Sequence, residues 1–368
     1  MRIDVVRVCG LLLFSCATAL ASGASAFQDD PHDKTLADLS RTAIEKSQIT
    51  LPDSAPFHLQ AKVFEGTNPD NDAYNAEIEE YWAAPDKWRR TVKAGSFSQT
   101  LVVNGRQVHE ELQGDYYPNW LRTIVVGIFE PGAFFAGLDL SKSSDNPQPD
   151  THVVMPNGEL YVQHMPVTCR RFAFRAGMPP LENNVFSTFC FRGPWLESVG
   201  MPGYHVSYKG YRLFRGKVVG RTLREYIDPG EEVEARIELL EPLETANEEL
   251  FSVKESTPQL QTITVSEKTL WDLAADAPPV VWPSIHGGKA AGMLSIYVCI
   301  DRSGTVRETY GLNSDHPEMT DAAREQVSKW RFKIATSNGV PVQAEGILTF
   351  SYKAKLEPAP APAKDPKP

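Results

Sequence analysis

Positive charge, cysteine and long apolar segments are all scarce in this sequence. Its 368 residues carry 37 Lys and Arg against 47 Asp and Glu, which gives a formal net charge of −10. A protein that binds nucleic acid needs a basic face, so this balance argues against that class of function. The 5 cysteines form no CxxC pair and the 8 histidines do not cluster, so the sequence predicts no metal site.

Catalytic motifs are missing as well. The run His109–Gln113 begins like a zinc-protease helix, but Gln113 stands where that motif needs its second histidine. Residues 284–288 (SIHGG) are similar to an oxyanion loop, yet the chain contains no Gly-x-Ser-x-Gly nucleophile. The acidic turn around Asp228 lacks the ligand spacing of an EF-hand. We therefore expect a protein that is not an enzyme and that uses no cofactor.

The one sustained apolar run has the composition of a secretory signal. Arg2 and Arg7 precede the apolar residues 8–21, and residues 24–26 (ASA) fit a cleavage site. The run is too short to span a bilayer comfortably. Residues 1–26 are therefore predicted to be a signal peptide that directs the protein to the periplasm. Cys16 follows Leu-Phe-Ser, so a lipid anchor at Cys16 is the less favoured alternative.

Residues 57 to 240 read as a succession of short strands. Candidates at 57–65, 75–83, 87–94, 97–103 and 106–112 are separated by turn residues, of which Asn104-Gly105 is the strongest hairpin signal. A helix is predicted at 117–129 and a weaker one at 31–47. The polar, proline-containing stretch 141–150 is predicted to be a surface loop. Strands resume at 151, and the last long ones are 211–227 and 233–240. This pattern predicts a strongly curved antiparallel sheet with one or two helices over 27–245.

Two cysteines lie in neighbouring predicted strands of this region. The strands 166–175 and 185–192 flank a loop at 177–182. A hairpin folded about the centre of that loop places Cys169 opposite Cys190, within reach of a disulfide. An exported protein meets an oxidising compartment, which favours the bond over metal binding. Cys299 is then left over, either as a half-buried thiol or as the site of an intermolecular disulfide.

The C-terminal third changes its periodicity twice. Leu294, Ile296 and Val298 alternate with polar residues, as in a strand with one buried face, and a hairpin follows at Asp301–Gly304. A helical stripe runs from Met319 to Trp330, with one polar interruption at Gln326. Asn338-Gly339 marks a second tight turn before a strand over 342–352. We predict a polar linker at 246–262, a small α+β domain at 263–356 and a disordered Pro/Ala-rich tail at 357–368.

These positions resemble the TonB C-terminal domain family. The residues that carry the resemblance are Trp282-Pro283, Gly292, Ile300-Asp301 with Gly304, Trp330-Arg331-Phe332 and Asn338-Gly339-Val340-Pro341-Val342. Two departures occur, because Trp282 replaces a tyrosine and Lys333-Ile334-Ala335 replaces x-Pro-Ala.

The resemblance implies a domain that captures a short extended segment of an outer-membrane protein by strand addition. An unpaired edge strand offers backbone donors and acceptors, and the last strand, at 346–352, is the implied docking edge. Energy transducers of this family begin with a membrane anchor and a Pro-rich spacer, and this chain has a signal and a folded domain instead. The peptide-binding residues implied are Trp282, Pro283, Gly346, Leu348, Phe350 and Tyr352.

A second resemblance covers residues 36–240. Residues 81–90 (YWAAPDKWRR), followed by 99–105 (QTLVVNG), are similar to the opening strands of LolA-like periplasmic half-barrels. That family wraps an apolar cavity around lipid, so a carrier of lipid or another apolar ligand is the alternative function. In that family an arginine on this strand helps to close the lid over the cavity, and Arg89 is the residue here that matches it. An ordinary surface arginine is the simpler interpretation. The sequence leaves the oligomeric state open.

Overall fold

The computed structural model describes residues 35–66, 72–135, 144–150, 167–173, 186–201, 204–228, 231–244, 247–253, 255–257, 259–284, 290–313 and 317–356. The predicted signal peptide with Cys16, the start of the strands predicted from 151, the loop residues 285–289 and the tail 357–368 lie outside the described residues. Predictions made for those segments therefore stay predictions.

The described N-terminal part is built on one large antiparallel sheet. Twelve described strands lie in the order β5-β4-β3-β2-β1-β12-β11-β10-β9-β8-β7-β6. The first and last strands of the series, β1 and β12, meet in the middle of the sheet. This N-terminal domain confirms the predicted mostly β, curved architecture. The strands are β1 Phe57–Glu65, β2 Ala76–Ala84, β3 Lys87–Ala94, β4 Phe97–Asn104, β5 Gln107–Gln113, β6 Ser144–Asp150, β7 Val167–Ala173, β8 Phe186–Arg192, β9 Trp195–Met201, β10 Tyr204–Phe214, β11 Lys217–Asp228 and β12 Glu231–Pro242.

Two helices cover one face of this sheet. Helix α1 spans Leu36–Ser47, where the Thr35 side chain caps the first turn by accepting from the Asp38 amide. Helix α2 spans Asn119–Phe129, and nine of its 11 residues are buried. A 3₁₀ turn at Pro131–Phe135 follows α2 and adds Phe134 and Phe135 to the core. The apolar interior of the domain is therefore formed by these helices and the sheet face beneath them.

Two predictions for this sheet are wrong. Residues 144–150 form a strand rather than a loop, with Gln148 paired to Cys169 and Pro149 to Thr168. Proline is tolerated there because β6 is an outermost strand of the described sheet. The predicted strand 211–227 is a hairpin of β10 and β11. Its turn takes positive φ at Arg215 (46°) and Gly216 (86°), and arginine gave no turn signal in the sequence.

The predicted disulfide is present. Strands β7 and β8 pair with Cys169 directly opposite Cys190, and the two Cα atoms are 4.0 Å apart. The prediction that Cys169 lies opposite Cys190, made from the symmetry of a hairpin about its loop, is therefore confirmed.

A second, four-stranded sheet of order β13-β20-β15-β16 forms the C-terminal domain. Strand β13 runs parallel to β20, whereas the other neighbours are antiparallel. Short pairs β14–β17 and β18–β19 flank the sheet. The α+β prediction is confirmed. The elements are β13 Thr262–Thr264, α3 Glu267–Leu273, β14 Ala274–Asp276, β15 Ala291–Ile300, β16 Val306–Asn313, α4 Pro317–Val327, β17 Arg331–Phe332, β18 Thr336–Ser337, β19 Val340–Pro341 and β20 Gln343–Lys353.

Helix α4 packs its predicted stripe onto one face of the small sheet. Met319, Ala323 and Val327 are 0% exposed and share a core with the alternating apolar residues of β15. The polar interruption Gln326 bonds the backbone of Val281, accepting from its N–H at 2.8 Å and donating to its C=O at 2.9 Å. Gln326 therefore fixes the chain that precedes β15 against the helix.

The Asp-x-x-Gly turn between β15 and β16 has a defined structural role. Asp301 is 1% exposed, and its carboxylate accepts from the Ser303 and Thr305 amides at 2.8 and 3.0 Å. Gly304 has φ +82°, and a Cβ there would lie 2.0 Å from the Phe332 carbonyl oxygen. A side chain at position 304 is therefore excluded both by backbone conformation and by space.

Candidate functional site

Strand β20 is paired unequally on its two sides. On one side β15 pairs with it from Ala344 to Lys353. On the other side β13 pairs only with Gln343, Ala344 and Glu345. Among the described strands, none pairs with that side beyond Glu345. We call this side, from Gln343 to Lys353, the outer edge of β20.

Besides the pairing with β13, backbone groups of β20 make three contacts on the outer edge. The Gln343 amide donates to the Gln261 carbonyl at 3.0 Å, and the Val265 amide donates to the Glu345 carbonyl at 2.8 Å. Further along, the Thr349 amide donates to the Glu267 carboxylate at 2.7 Å. Odd-numbered residues of β20 therefore direct their backbone groups to this edge, as strand geometry requires. The same alternation continues to Ser351 and Lys353.

The predicted peptide-binding side chains lie together, but mostly inside the domain. Leu348, Phe350 and Tyr352 are at most 8% exposed and belong to the core under α4. Trp282 is half-buried and packs on Phe350 and Tyr352, with ring centroids 6.4 and 5.9 Å apart. Pro283 beside it is also half-buried. What β20 can offer a partner is therefore chiefly backbone.

Gly346 is explained by the segment that precedes α3. A Cβ at this position would lie 2.7 Å from the Val265 carbonyl oxygen and 2.9 Å from Leu270 Cδ1. Any larger residue would push that segment off the outer edge. The glycine therefore permits close approach of another chain segment to β20.

Trp271 on α3 was not predicted as a site residue. Its ring lies 5.9 Å from Phe350 and 5.6 Å from Trp330, and 41% of the residue is exposed. With Trp282 it forms an aromatic cluster around Phe350. The only sequence signal was a tryptophan in a short stretch of mixed polar and apolar residues.

The face of the small sheet opposite α4 packs against the N-terminal domain. Alternation along β15 and β20 places Tyr297, Cys299 and Glu345 on this face. Arg122 of α2 donates to the Glu345 carboxylate at 2.7 Å and lies 3.9 Å from the Cys299 sulfur. The Tyr297 hydroxyl donates to the same carboxylate at 2.6 Å. A buried ion pair thus joins α2 to β20, and we call this contact region the domain interface.

Two further side chains of the small sheet bind the start of α2. Gln343 is 0% exposed; its side chain accepts from the Tyr117 amide at 2.6 Å and donates to the Tyr117 carbonyl at 3.3 Å. Helix α2 has Pro118 at its N-cap position and no side-chain cap of its own. Glu308 of β16 accepts from the Asn119 amide at 2.9 Å, so the other domain satisfies one of the unpaired amides at this helix end.

Burial changes the ionisation of groups at the domain interface. It raises the pKa of Glu345, but Arg122 and the Tyr297 hydroxyl outweigh it, so the pKa of this carboxyl lies below its ordinary value. Burial raises the pKa of the Cys299 thiol to about 12. Glu225 of β11 is 1% exposed, and burial, followed by the charge of Glu308, raises its pKa well above the ordinary value.

The chain between the two sheets is fixed along β5 before it reaches β20. We call residues 255–257 and 259–267 the connecting segment. The Thr257 amide donates to the Val108 carbonyl at 3.0 Å, and the Thr257 hydroxyl accepts from the Glu110 amide at 2.6 Å. The Glu110 carboxylate accepts from the Leu260 amide at 2.6 Å and from the Gln99 side chain at 2.5 Å. The residues predicted as a polar linker thus cover an edge of the large sheet.

On the large sheet, Arg89 and Arg90 lie on opposite faces. Arg89 pairs with Tyr81 on the face away from the helices. Arg90 points to the helix-covered face, where its guanidinium lies 4.3 Å from the Phe129 ring and donates to Glu80 at 2.5 Å. The arginine that contacts α2 is therefore Arg90, one position after the residue chosen from the sequence.

The helix-covered face contains a small cavity among the described residues. A cavity of about 20 Å³ lies between α1, α2 and strands β9 to β11. This volume holds about one water molecule. Its lining includes Ile44, Ile128, Phe135, Leu196, Tyr208 and Tyr211.

Comparison with known proteins supports the assignment of the C-terminal domain. Residues 288–354 match the family model of the Gram-negative bacterial TonB protein C-terminal domain, which confirms the resemblance carried by the motifs. No curated protein matches the chain. These findings support an envelope-associated protein. No helix among the described residues is long and apolar enough to cross a membrane.

Solved structures similar to the chain include LolA-like proteins, as the second resemblance predicted. A LolA superfamily protein from Nitrosomonas europaea is 12% identical; the match covers 60% of this chain and 98% of that one, with a TM-score of 0.32. A domain assigned as an outer membrane lipoprotein-sorting protein from Vibrio parahaemolyticus is 10% identical, with 60% and 97% covered and a TM-score of 0.33. A β-barrel-like protein of unknown function from Brucella abortus is 9% identical, with 54% and 100% covered and a TM-score of 0.17.

Proposed function

We propose that this envelope-associated protein with a TonB-like C-terminal domain is a binding protein rather than an enzyme. In this proposal it takes up an extended segment of another envelope protein as an added strand on the outer edge of β20. The observation that carries the proposal is the unequal pairing of β20, which β15 covers from Ala344 to Lys353 and β13 from Gln343 to Glu345. The rest of the edge offers backbone groups to a partner.

The surroundings of this edge suit a peptide with apolar side chains. Main-chain hydrogen bonds to residues such as Ser351 would supply affinity that does not depend on sequence. Trp271, exposed beside Phe350, would pack against an alternate side chain of the added strand. The implied partner is an extended segment of an outer-membrane or other envelope protein.

The test is site-specific photo-cross-linking in cells. A photoreactive amino acid replaces Ser351, which is exposed on β20, and in a matched control it replaces Ser328, which is exposed after α4. We expect Ser351 to yield a discrete adduct whose cross-linked peptide, located by mass spectrometry, is an extended segment of an envelope protein. Equal adduct patterns at the two positions, or none at Ser351, would contradict the proposal.

The alternative function is that of a carrier for lipid or another apolar ligand. The observation in its favour is α2, an almost wholly buried apolar helix that is anchored at its ends by Arg122 with Glu345 and by Arg90 with Phe129. Its departure would expose the apolar sheet face. The cavity of about 20 Å³ holds no acyl chain while α2 is in place. Native mass spectrometry of protein purified from the periplasm tests this role, because a carrier would retain lipid.

A further inference from the structure

The connecting segment already occupies part of the outer edge of β20. We propose that residues 261–267 act as an intramolecular cover, which an incoming strand displaces, and that this displacement loosens the domain interface. The inference rests on the proposed function, in which β20 takes up a strand. It adds that residues 261–267 compete with the partner for β20, and that their displacement affects the contact with the N-terminal domain.

The cover imitates an added strand. Strand β13 pairs with Gln343, Ala344 and Glu345 in parallel register. Where β13 ends, the Glu267 carboxylate takes the Thr349 amide, as the carbonyl of a longer strand would. A partner that pairs with the whole outer edge would therefore have to remove both contacts.

The cover is held mainly by backbone contacts. Thr264 is exposed, and Ile263 and Val265 are only partly buried against the core. Segments with few buried apolar contacts open at low cost. A partner can replace these hydrogen bonds with equivalent ones, because backbone pairing does not require a particular side chain.

Two side chains belong both to the cover and to the domain interface. The Thr262 hydroxyl accepts from the Gln343 side chain, and the Thr264 hydroxyl donates to the Glu345 carboxylate, each at 3.2 Å. Gln343 also binds Tyr117, and Glu345 also binds Arg122. Loss of β13 therefore removes a partner from two of the side chains that hold α2, Gln343 and Glu345, which couples the edge to the interface.

Cys299 provides a natural reporter of the interface. It is the free cysteine of the described residues. Its side chain lies on the face of β15 that packs against α2 and is 0% exposed. A thiol that is buried in this way reacts only after the surrounding structure opens. Its alkylation rate, located by mass spectrometry, therefore measures how often the interface loosens.

The experiment weakens the cover and measures both effects. Val265→Pro removes the amide that donates to Glu345, while Glu267→Ala frees the Thr349 amide without altering the backbone of the cover. Glu318→Ala, which removes a first-turn glutamate of α4, is the matched control. Full-length protein is exported and studied with the photoreactive group at position 351. We expect each cover variant to raise cross-linking about fivefold, the factor given by one ordinary hydrogen bond, and Glu318→Ala to leave it unchanged.

The same proteins are treated with a maleimide. We expect Val265→Pro to raise the alkylation rate of Cys299, and Thr262→Val with Thr264→Val to raise it while the backbone pairing is kept. Wild-type cross-linking that no cover variant increases would overturn the inference and leave the proposed function standing. Increased cross-linking with unchanged Cys299 alkylation would overturn the coupling.

Absence of cross-linking at position 351 in every protein would contradict both the proposed function and the inference. If the circular dichroism spectrum shows that Val265→Pro is unfolded, the test rests on Glu267→Ala and on the variant with Thr262→Val and Thr264→Val.

Discussion

The connecting segment covers two sheet edges in succession, and it does so by different means. On β5 one backbone bond, from the Thr257 amide to the Val108 carbonyl, is joined by side-chain contacts, because the Thr257 hydroxyl and the Glu110 carboxylate each accept from a backbone amide of the opposite segment. On β20 it relies on backbone pairing through β13, with the Glu267 carboxylate beyond the end of the strand.

This difference separates a permanent contact from an exchangeable one. An arbitrary partner strand lacks the Ser256 and Thr257 hydroxyls, which accept from backbone amides of β5. It can reproduce the backbone hydrogen bonds of β13, because every peptide carries them. In our proposal the edge of β5 is therefore structural, whereas the outer edge of β20 is the binding site.

The largest effect is expected where β20 is tied to the other domain. Arg122→Ala leaves the Glu345 carboxylate buried without its charged partner, which costs roughly 3–5 kcal/mol in the free energy of unfolding. Arg302→Ala is the matched control, because Arg302 also reaches the other domain but pairs with the exposed Asp115; we expect about 0–1 kcal/mol. Denaturant unfolding checks both. Equal losses would show that Arg122 is not the residue that joins the domains.

An intermediate effect should separate the two edges. Glu110→Ala leaves the Leu260 amide and the Gln99 side chain without their acceptor, and we expect a loss of about 1–3 kcal/mol. Glu267→Ala removes a single contact on the outer edge of β20, and we expect no more than about 1 kcal/mol. Hydrogen exchange locates the change at each edge. A greater loss for Glu267→Ala would reverse our distinction between structural and exchangeable edges.

A smaller effect concerns pH. The pKa of Glu225 is raised in the folded protein by burial and then by the charge of Glu308. The Glu225 carboxyl therefore binds a proton more readily in the folded protein than in the unfolded chain. Its contribution to the free energy of unfolding is complete below the pKa of the unfolded state and is lost as pH rises through the pKa of the folded state. Glu225→Gln should flatten this decline in stability, measured by thermal unfolding from acid to mildly alkaline pH. An unchanged slope would contradict the assignment.

Elements that depend on interactions between residues close in the sequence were predictable, whereas elements that depend on distant residues were not. Local signals located the hairpin at Asn104-Gly105, the stripe of α4 and the pairing of Cys169 with Cys190. Strand β6 was missed because its pairing depends on a distant strand, and β13 because its three residues carry no periodic pattern.

The candidate site was predictable only in outline. The motifs pointed to β20, but the large side chains that they selected there, Leu348, Phe350 and Tyr352, face the core. The backbone edge, Glu267 and Trp271 depend on how α3 packs, and no local pattern encodes that packing. Arg122 was invisible for the same reason, since in the sequence it is one polar residue in an apolar helix.

The central claim is that the outer edge of β20 takes up a strand through backbone hydrogen bonds. It is tested most directly with a synthetic peptide of residues 259–266 (QLQTITVS) titrated by NMR into the Val265→Pro protein, with each peptide amide methylated in turn. We predict a period of two, in which methylation at the positions of Ile263 and Val265 abolishes binding and methylation at Thr262 and Thr264 is tolerated. Binding that is indifferent to the methylated position, or absent for the unmethylated peptide, would contradict the account.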